Sequence, residues 1–260
     1  MKTPFWKLSG AGNDFVLLAR LPRGHSGPAL ARRLCDRRFG VGADGLLHVA
    51  RRAGRVRLDY WNADGSAAFC GNGTRCGALW AASRGLVAGR AFSLDTIRGP
   101  LGVRLTGRGR AEVDMPPPSR LRLGLRLRAA GRTWTAHFVD TGTPHAVVFV
   151  ADIEKVDVRN MGRTLRFHKA FGPSGANVDF VELRGGRMLL RTYERGVEDE
   201  TLACGTGVVA AAAVARARRK AGDRVNVRVR GGDSLRATFR GASVRLEGPG
   251  AVVFTGEVSL

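Results

Sequence analysis

One ten-residue pattern occurs twice in this chain. DGSAAFCGNG, residues 64–73, aligns without gaps on EDETLACGTG, residues 198–207. Cys70 falls on Cys204, Gly71 on Gly205 and Gly73 on Gly207. Each copy follows a strand pattern, LDYWN or LRTYE, and each opens a helix pattern. A shorter echo pairs GNDFV, residues 12–16, with NVDFV, residues 177–181. A chain built this way folds as one unit used twice. Strand signals dominate elsewhere, and the helix after Cys204, GVVAAAAVA, is apolar on every side and must be buried all round. The expected class is α/β (α+β): a mostly β shell around a central helix, built twice. Three consecutive prolines, Pro116–Pro118, cannot continue a helix or a central strand and mark the junction. The expected halves are residues 1–117, carrying Cys70, and 118–250, carrying Cys204, with a last strand at 251–260.

At 260 residues and 44% hydrophobic content there is material for one large core or two smaller ones. No apolar run is long enough to span a bilayer, and MKTPFWKLSG has no signal-peptide core, so the expected compartment is the cytoplasm. Four cysteines in such a chain do not make a disulfide framework. Cys35 and Cys76 read as packing residues. A zinc site from Cys70, Cys76 and a histidine matches no zinc spacing.

The 43 Lys and Arg residues against 22 Asp and Glu give a net charge of +21, which raises a nucleic-acid reading. The charge is nearly all arginine, scattered from Arg20 to Arg245, and no nucleic-acid motif accompanies it. Arginine on solvated faces is the simpler expectation. In RLRLGLRLR, Arg120–Arg128, it alternates with leucine at the period of a strand buried on one side.

A cysteine just before a helix faces unpaired N–H groups and the positive end of the helix dipole. That setting is expected to lower the thiol pKa. The following glycines let an anion such as a carboxylate approach the backbone. A thiolate and a thiol working on opposite faces of one carbon form a device for inverting a stereocentre. One takes the proton and the other returns one.

Six motifs in order carry a family resemblance: KLSGAGNDFV, RRFGVGADGLL, NADGSAAFCGNGTRC, DTGTPHAVVFV, GANVDFVEL and YERGVEDETLACGTG. Together they resemble the diaminopimelate epimerases. The resemblance implies epimerisation of LL-2,6-diaminopimelate to the meso form in lysine and peptidoglycan precursor synthesis. It implies two pseudo-symmetric domains, each a barrel-like β-sheet wrapped round a central helix, with the last strand, 251–260, returning to the first half, and a cytoplasmic homodimer without pyridoxal phosphate, metal or other cofactor. The expected partner is the small-molecule substrate, with no specific nucleic acid and no membrane. It makes Cys70 and Cys204 the acid/base pair, with His145 and Glu194 tuning them. Gly71, Asn72, Gly205 and Thr206 hold the reacting carboxylate. Asn13, Asn62, Asn177, Glu194 and Arg195 hold the rest of the substrate. The sequence departs from many members at Thr143, where Asn is common, and from some at Gly45, where Gln occurs. The competing readings are a proline-type racemase or phenazine-pathway isomerase of the same fold, and a basic nucleic-acid-binding protein that kept the fold.

Overall fold

The computed structural model describes residues 2–129 and 131–260. The chain forms two compact units, Met1–Asp114 with Glu247–Leu260, and Met115–Leu246.

The first unit contains β1 (Lys2–Gly10), β2 (Asn13–Leu18), α1 (Gly27–Leu34), β3 (Gly45–Arg52), β4 (Arg55–Asn62), α2 (Gly71–Ser83), β5 (Ala91–Thr96) and β6 (Gly99–Gly107). Next come β7 (Arg110–Met115), β8 (Ser119–Ala129), β9 (Arg132–Asp140), β10 (Pro144–Phe149), α3 (Val158–Arg166), β11 (Asn177–Arg184), β12 (Arg187–Glu194) and β13 (Asp199–Thr201). The chain ends with α4 (Gly205–Ala217), β14 (Arg224–Val229), β15 (Ser234–Arg240), β16 (Ser243–Pro249) and β17 (Ala251–Ser259).

The repeat is visible in the pairing of the strands. β1–β2 is antiparallel, β2–β3 parallel, β3–β4 antiparallel, β4–β5 parallel and β5–β6 antiparallel. The second unit repeats this order: β9–β10 antiparallel, β10–β11 parallel, β11–β12 antiparallel, β12–β14 parallel and β14–β15 antiparallel. β17 adds to β1 as β8 adds to β9, both antiparallel. The last strand of the chain thus completes the sheet of the first unit.

Each sheet curls round one helix. α2 packs on β1, β2, β3, β4, β6 and β17, and α4 on β9, β10, β11, β12, β14 and β15. A helix enclosed on all sides needs small residues. Ala210, Ala211, Ala212 and Ala215 are fully buried beside Val208, Val209 and Val214. At Gly77 of α2, an added Cβ would lie 2.3 Å from Leu58 Cδ1. Around these helices the second unit builds a core from Trp134, Phe138, Phe180 and Tyr193, and the first packs Phe5, Val16, Leu30 and Leu46 under α1.

Three sequence expectations need correction. GNDFV does not correspond to NVDFV. In the two registers Phe15 pairs with Gly45 as His145 pairs with Asn177, so β2 matches β10 and β3 matches β11. The echo is a likeness between two buried strands that occupy different places in the repeat. RLRLGLRLR is not half buried either. Leu121 and Leu123 are exposed and only Leu127 is buried. The β8–β9 register shifts between Ser119 and Arg122 and again between Arg122 and Leu125, and Arg120 and Gly124 have positive φ. Such irregularities break the two-residue alternation. Finally, the sequence pattern predicts helices over 73–83 and 207–220, but both central helices begin two residues earlier, at Gly71 and Gly205. The change of backbone direction falls on the cysteines.

Candidate active site

Cys70 is the N-cap of α2 and Cys204 the N-cap of α4, with closely similar extended backbones (φ −131°, ψ 112° and φ −122°, ψ 110°). Their carbonyls accept the first helical hydrogen bonds, from Thr74 N–H at 2.8 Å and Val208 N–H at 2.9 Å. The first N–H groups of each helix have no partner within the helix and point past the cysteine.

In the first unit, Gly73 N–H donates to Cys70 Sγ at 3.4 Å. Asn72 is buried and fixed from both sides. Its Nδ2 donates to Asn13 Oδ1 at 2.6 Å, and its Oδ1 accepts from Arg75 at 2.6 Å. Asn13 in turn donates to Asp44 Oδ2 at 2.8 Å. Asp44 also receives Arg37, which bridges to Asp14, and Asp14 receives Lys7 at 2.7 Å. Asn62, at the end of β4, accepts from Tyr60 Oη and donates to Ser66 Oγ, both at 2.9 Å. The Gly45 departure now has a physical reason: an added Cβ would lie 2.3 Å from Tyr60 Cε2. The tyrosine that orients Asn62 occupies the room a larger residue 45 would need.

The Asp14–Asp44–Arg37–Lys7 cluster yields a stability prediction. Burial raises the Asp14 pKa, but the hydrogen bonds from Arg37 and Lys7 outweigh it and bring the value down from 3.8 to about 2. A depressed carboxyl stabilises the fold above its unfolded pKa, and that contribution is lost as pH falls through about 2. Asp14→Asn should therefore cost about 2 kcal/mol at pH 7 and almost nothing near pH 2. Urea unfolding of both proteins at the two pH values measures this.

In the second unit, Cys204 is buried and makes no capping hydrogen bond of the Cys70 type. Its Sγ lies 3.3 Å from Thr206 Oγ1. Thr206 Oγ1 lies 3.0 Å from His145 Nε2, and Thr143 Oγ1 is within 3.1 Å of the same nitrogen and 3.3 Å of Thr206 Oγ1. Fully buried His145 and Asp179 meet at 2.7 Å, Nδ1 to Oδ2. Asn177 places Nδ2 3.3 Å from His145 Nε2, and its Oδ1 accepts the Arg195 backbone N–H at 2.8 Å. Glu194 accepts from Thr201 Oγ1 at 2.8 Å. The half-buried Arg195 guanidinium makes no hydrogen bond or ion pair among the described residues.

The expected lowering of the thiol pKa fails at Cys204. Burial pushes this thiol well above 9.0, and the Glu194 and Asp179 carboxylates add to the rise; the Thr206 hydroxyl opposes it. Enclosure and negative charge outweigh the donors that favour the thiolate here. Cys35 and Cys76, both buried, are raised to about 12 and are chemically quiet. Among the described residues no three His, Cys, Asp or Glu side chains gather as a metal-binding group.

Each unit thus gathers expected residues at one helix start: Cys70, Gly71, Asn72 and Asn13 in the first, and Cys204, Gly205, Thr206, His145, Asn177 and Glu194 in the second. Asn62 is held by Tyr60 and Ser66, and Arg195 joins the second group through its backbone N–H on Asn177. The family model for diaminopimelate epimerase matches residues 5–121 and 137–254. The chain belongs to the diaminopimelate epimerase family. It is 38% identical to the diaminopimelate epimerase of Chlorobaculum tepidum, over 97% of this chain and 100% of that one. It is 41% identical to that of Methanothrix thermoacetophila, over 98% and 95%. Among solved structures, a phenazine biosynthesis protein of the PhzF family from Bacillus anthracis superposes with TM-score 0.77 at 14% identity, covering both chains completely. A probable proline racemase from Agrobacterium radiobacter gives 0.73 at 17%, over 99% of this chain and 93% of that one. At those identities the likeness establishes a shared fold.

Sequence reasoning missed Asp179, the Thr206 hydroxyl and the acidic cluster behind Asn13. Asp179 carried a signal: it interrupts an apolar strand, NVDFV, that is buried throughout.

Proposed function

We propose that this chain interconverts LL- and meso-2,6-diaminopimelate by proton transfer between two cysteines, without pyridoxal phosphate or metal. The observation that carries the reading is the position of the cysteines. Both repeats place one at the N-cap of the enclosed helix, the point where a substrate carboxylate meets free N–H groups and the dipole.

One thiolate removes the α-proton. The negative charge spreads onto the carboxylate, which is held by the helix-start groups at Gly71–Asn72 and Gly205–Thr206. The other thiol delivers its proton to the opposite face, and the roles exchange in the reverse direction. In the forward step one C–H and one S–H bond break and one of each forms. Asn13, Asn62 and Asn177 hold the substrate's amine and carboxylate groups by donating and accepting. Arg195, whose guanidinium is uncommitted among the described residues, clamps the distal carboxylate in two parallel hydrogen bonds, and Glu194 pairs with the distal ammonium. His145 and Glu194 bias the thiols.

The reading carries a cytoplasmic homodimer with no specific nucleic-acid and no membrane partner; no helix of the described residues is long and apolar enough to cross a membrane. Incubating the enzyme with the LL isomer in deuterium oxide tests the reaction. Meso product carrying one α-deuteron is expected, unaffected by chelators or carbonyl-trapping reagents. Absence of both isomerisation and exchange, or loss of turnover with either reagent, contradicts it.

A further inference from the structure

We propose that Asp179, acting through His145, fixes the proton arrangement that lets Thr206 relay a proton between Cys204 and the imidazole. The inference rests on the proposed role of Cys204.

The orientations follow from donors that have no choice. The Arg195 backbone N–H can only donate, so the Asn177 amide must turn its Oδ1 toward it. That leaves Nδ2, also a donor, facing His145 Nε2 at 3.3 Å and the Pro144 carbonyl at 3.1 Å. Nε2 is therefore an acceptor, and the imidazole proton sits on Nδ1, 2.7 Å from Asp179 Oδ2. The other carboxylate oxygen accepts from Thr192 Oγ1 at 2.7 Å, which holds the carboxylate in plane with its task. Thr143 Oγ1, 3.1 Å from Nε2, donates to Thr206 Oγ1 at 3.3 Å, so the Thr206 hydroxyl donates to the accepting Nε2 at 3.0 Å and offers its other lone pair to the Cys204 thiol at 3.3 Å. The path is thiol, hydroxyl, imidazole. When the Cys204 S–H proton passes to Thr206 Oγ1, the Thr206 proton passes to Nε2. One S–H and one O–H bond break, one O–H and one N–H form, and the products are a thiolate and an imidazolium paired with the Asp179 carboxylate. Reversal restores the thiol.

The repeat argues that this is not packing. From the strand registers, His145 matches Phe15, Asp179 matches Leu47 and Thr192 matches Tyr60; from the ten-residue repeat, Thr206 matches Asn72. At the start of α2, a Cβ added at Gly73 would meet Leu47 and Phe15 at 3.2 and 3.3 Å; at the start of α4, one at Gly207 would meet Asp179 Oδ1 at 2.6 Å. The same place beneath the helix is filled by hydrocarbon and rings in one unit and by a buried ionisable pair in the other. Burying a carboxylate and an imidazole is a poor substitute for hydrophobic packing as a source of stability. The fold does not require it, and the pair reaches Cys204 through the Thr206 hydroxyl. Asp179 is a positioning residue for this one thiol.

Asp179→Asn tests the proposal. Thr192 keeps the amide oxygen, so the amide NH₂ faces His145 Nδ1 and moves the ring proton to Nε2. Nitrogen-15 spectra of labelled protein, with His145→Gln as the assignment control, should show an Nδ1–H neutral ring in the unmodified enzyme and an Nε2–H ring in the variant. Epimerisation should fall by at least about 10²-fold. Deuterium exchange should be lost with the stereoisomer whose proton Cys204 handles and kept with the other. Thr206→Val, which retains the backbone N–H, should reproduce the one-sided loss while leaving the ring on Nδ1–H, and it serves if the Asn variant does not fold. An Nε2–H or doubly protonated ring in the resting enzyme, undiminished epimerisation, or equal loss from both stereoisomers in folded protein would overturn the proposal. The ring spectra do not depend on turnover, so they judge the relay even if the assigned reaction is wrong.

Discussion

Alanine at either Cys70 or Cys204 abolishes epimerisation, with turnover down by about 10⁴-fold or more, the upper range for loss of a positioned acid or base. Inversion needs a proton acceptor on one face of the α-carbon and a donor on the other, and no other side chain on either helix start can serve. Guanidinium and hydroxyl side chains are not acid–base groups of the required strength, and Cys76 lies buried with its thiol raised to about 12. Serine at either position should also fail, because a hydroxyl is far less acidic than a thiol. Circular dichroism separates this loss from unfolding. Cys70 is half-buried and Cys204 is buried beside a hydroxyl, so alanine at Cys70 should disturb stability the less.

Arg195→Lys should lower kcat/KM for diaminopimelate by about 2–5 kcal/mol, roughly 30-fold to several thousand-fold. Lysine keeps the charge but loses the planar fork that meets a carboxylate with two parallel hydrogen bonds. The position is otherwise well supported. The Arg195 backbone N–H anchors Asn177, an interaction lysine retains, so the variant isolates the guanidinium. Steady-state kinetics should show the loss with diaminopimelate and a much smaller change in α-proton exchange of an amino acid without a distal carboxylate. Equal turnover of diaminopimelate by the variant would remove the clamp.

Much of this was legible in the sequence, for identifiable reasons. The Cys-Gly-x-Gly repeat is local: an N-cap and the glycines that allow close approach lie within four residues, so both thiols could be read directly and both helix starts to within two residues. The all-apolar run after Cys204 announced an enclosed helix, and α4 is enclosed. What escaped depends on strand register. Asp179 reaches His145 only because β10 and β11 run parallel with His145 opposite Asn177, a relation between residues 34 positions apart. The same dependence explains the misplaced GNDFV echo, since a short likeness of composition cannot tell neighbouring strands of a repeat apart. The thiol pKa was misjudged at Cys204 for a related reason. The dipole is a property of the local sequence, whereas the opposing burial and the Glu194 and Asp179 carboxylates are assembled by the fold.

The two-base assignment is tested most directly by following deuterium into each stereoisomer separately with the two alanine variants. Each variant retains one of the two N-cap thiols, which still removes a proton from the face it reaches, exchanges with solvent and returns deuterium to that face. The account predicts no epimerisation by either variant and slow deuterium incorporation into one stereoisomer only, with the labelled stereoisomer switching between Cys70→Ala and Cys204→Ala. Substantial epimerisation surviving in one variant while the other is inert toward both stereoisomers would show a single base at work and contradict the account.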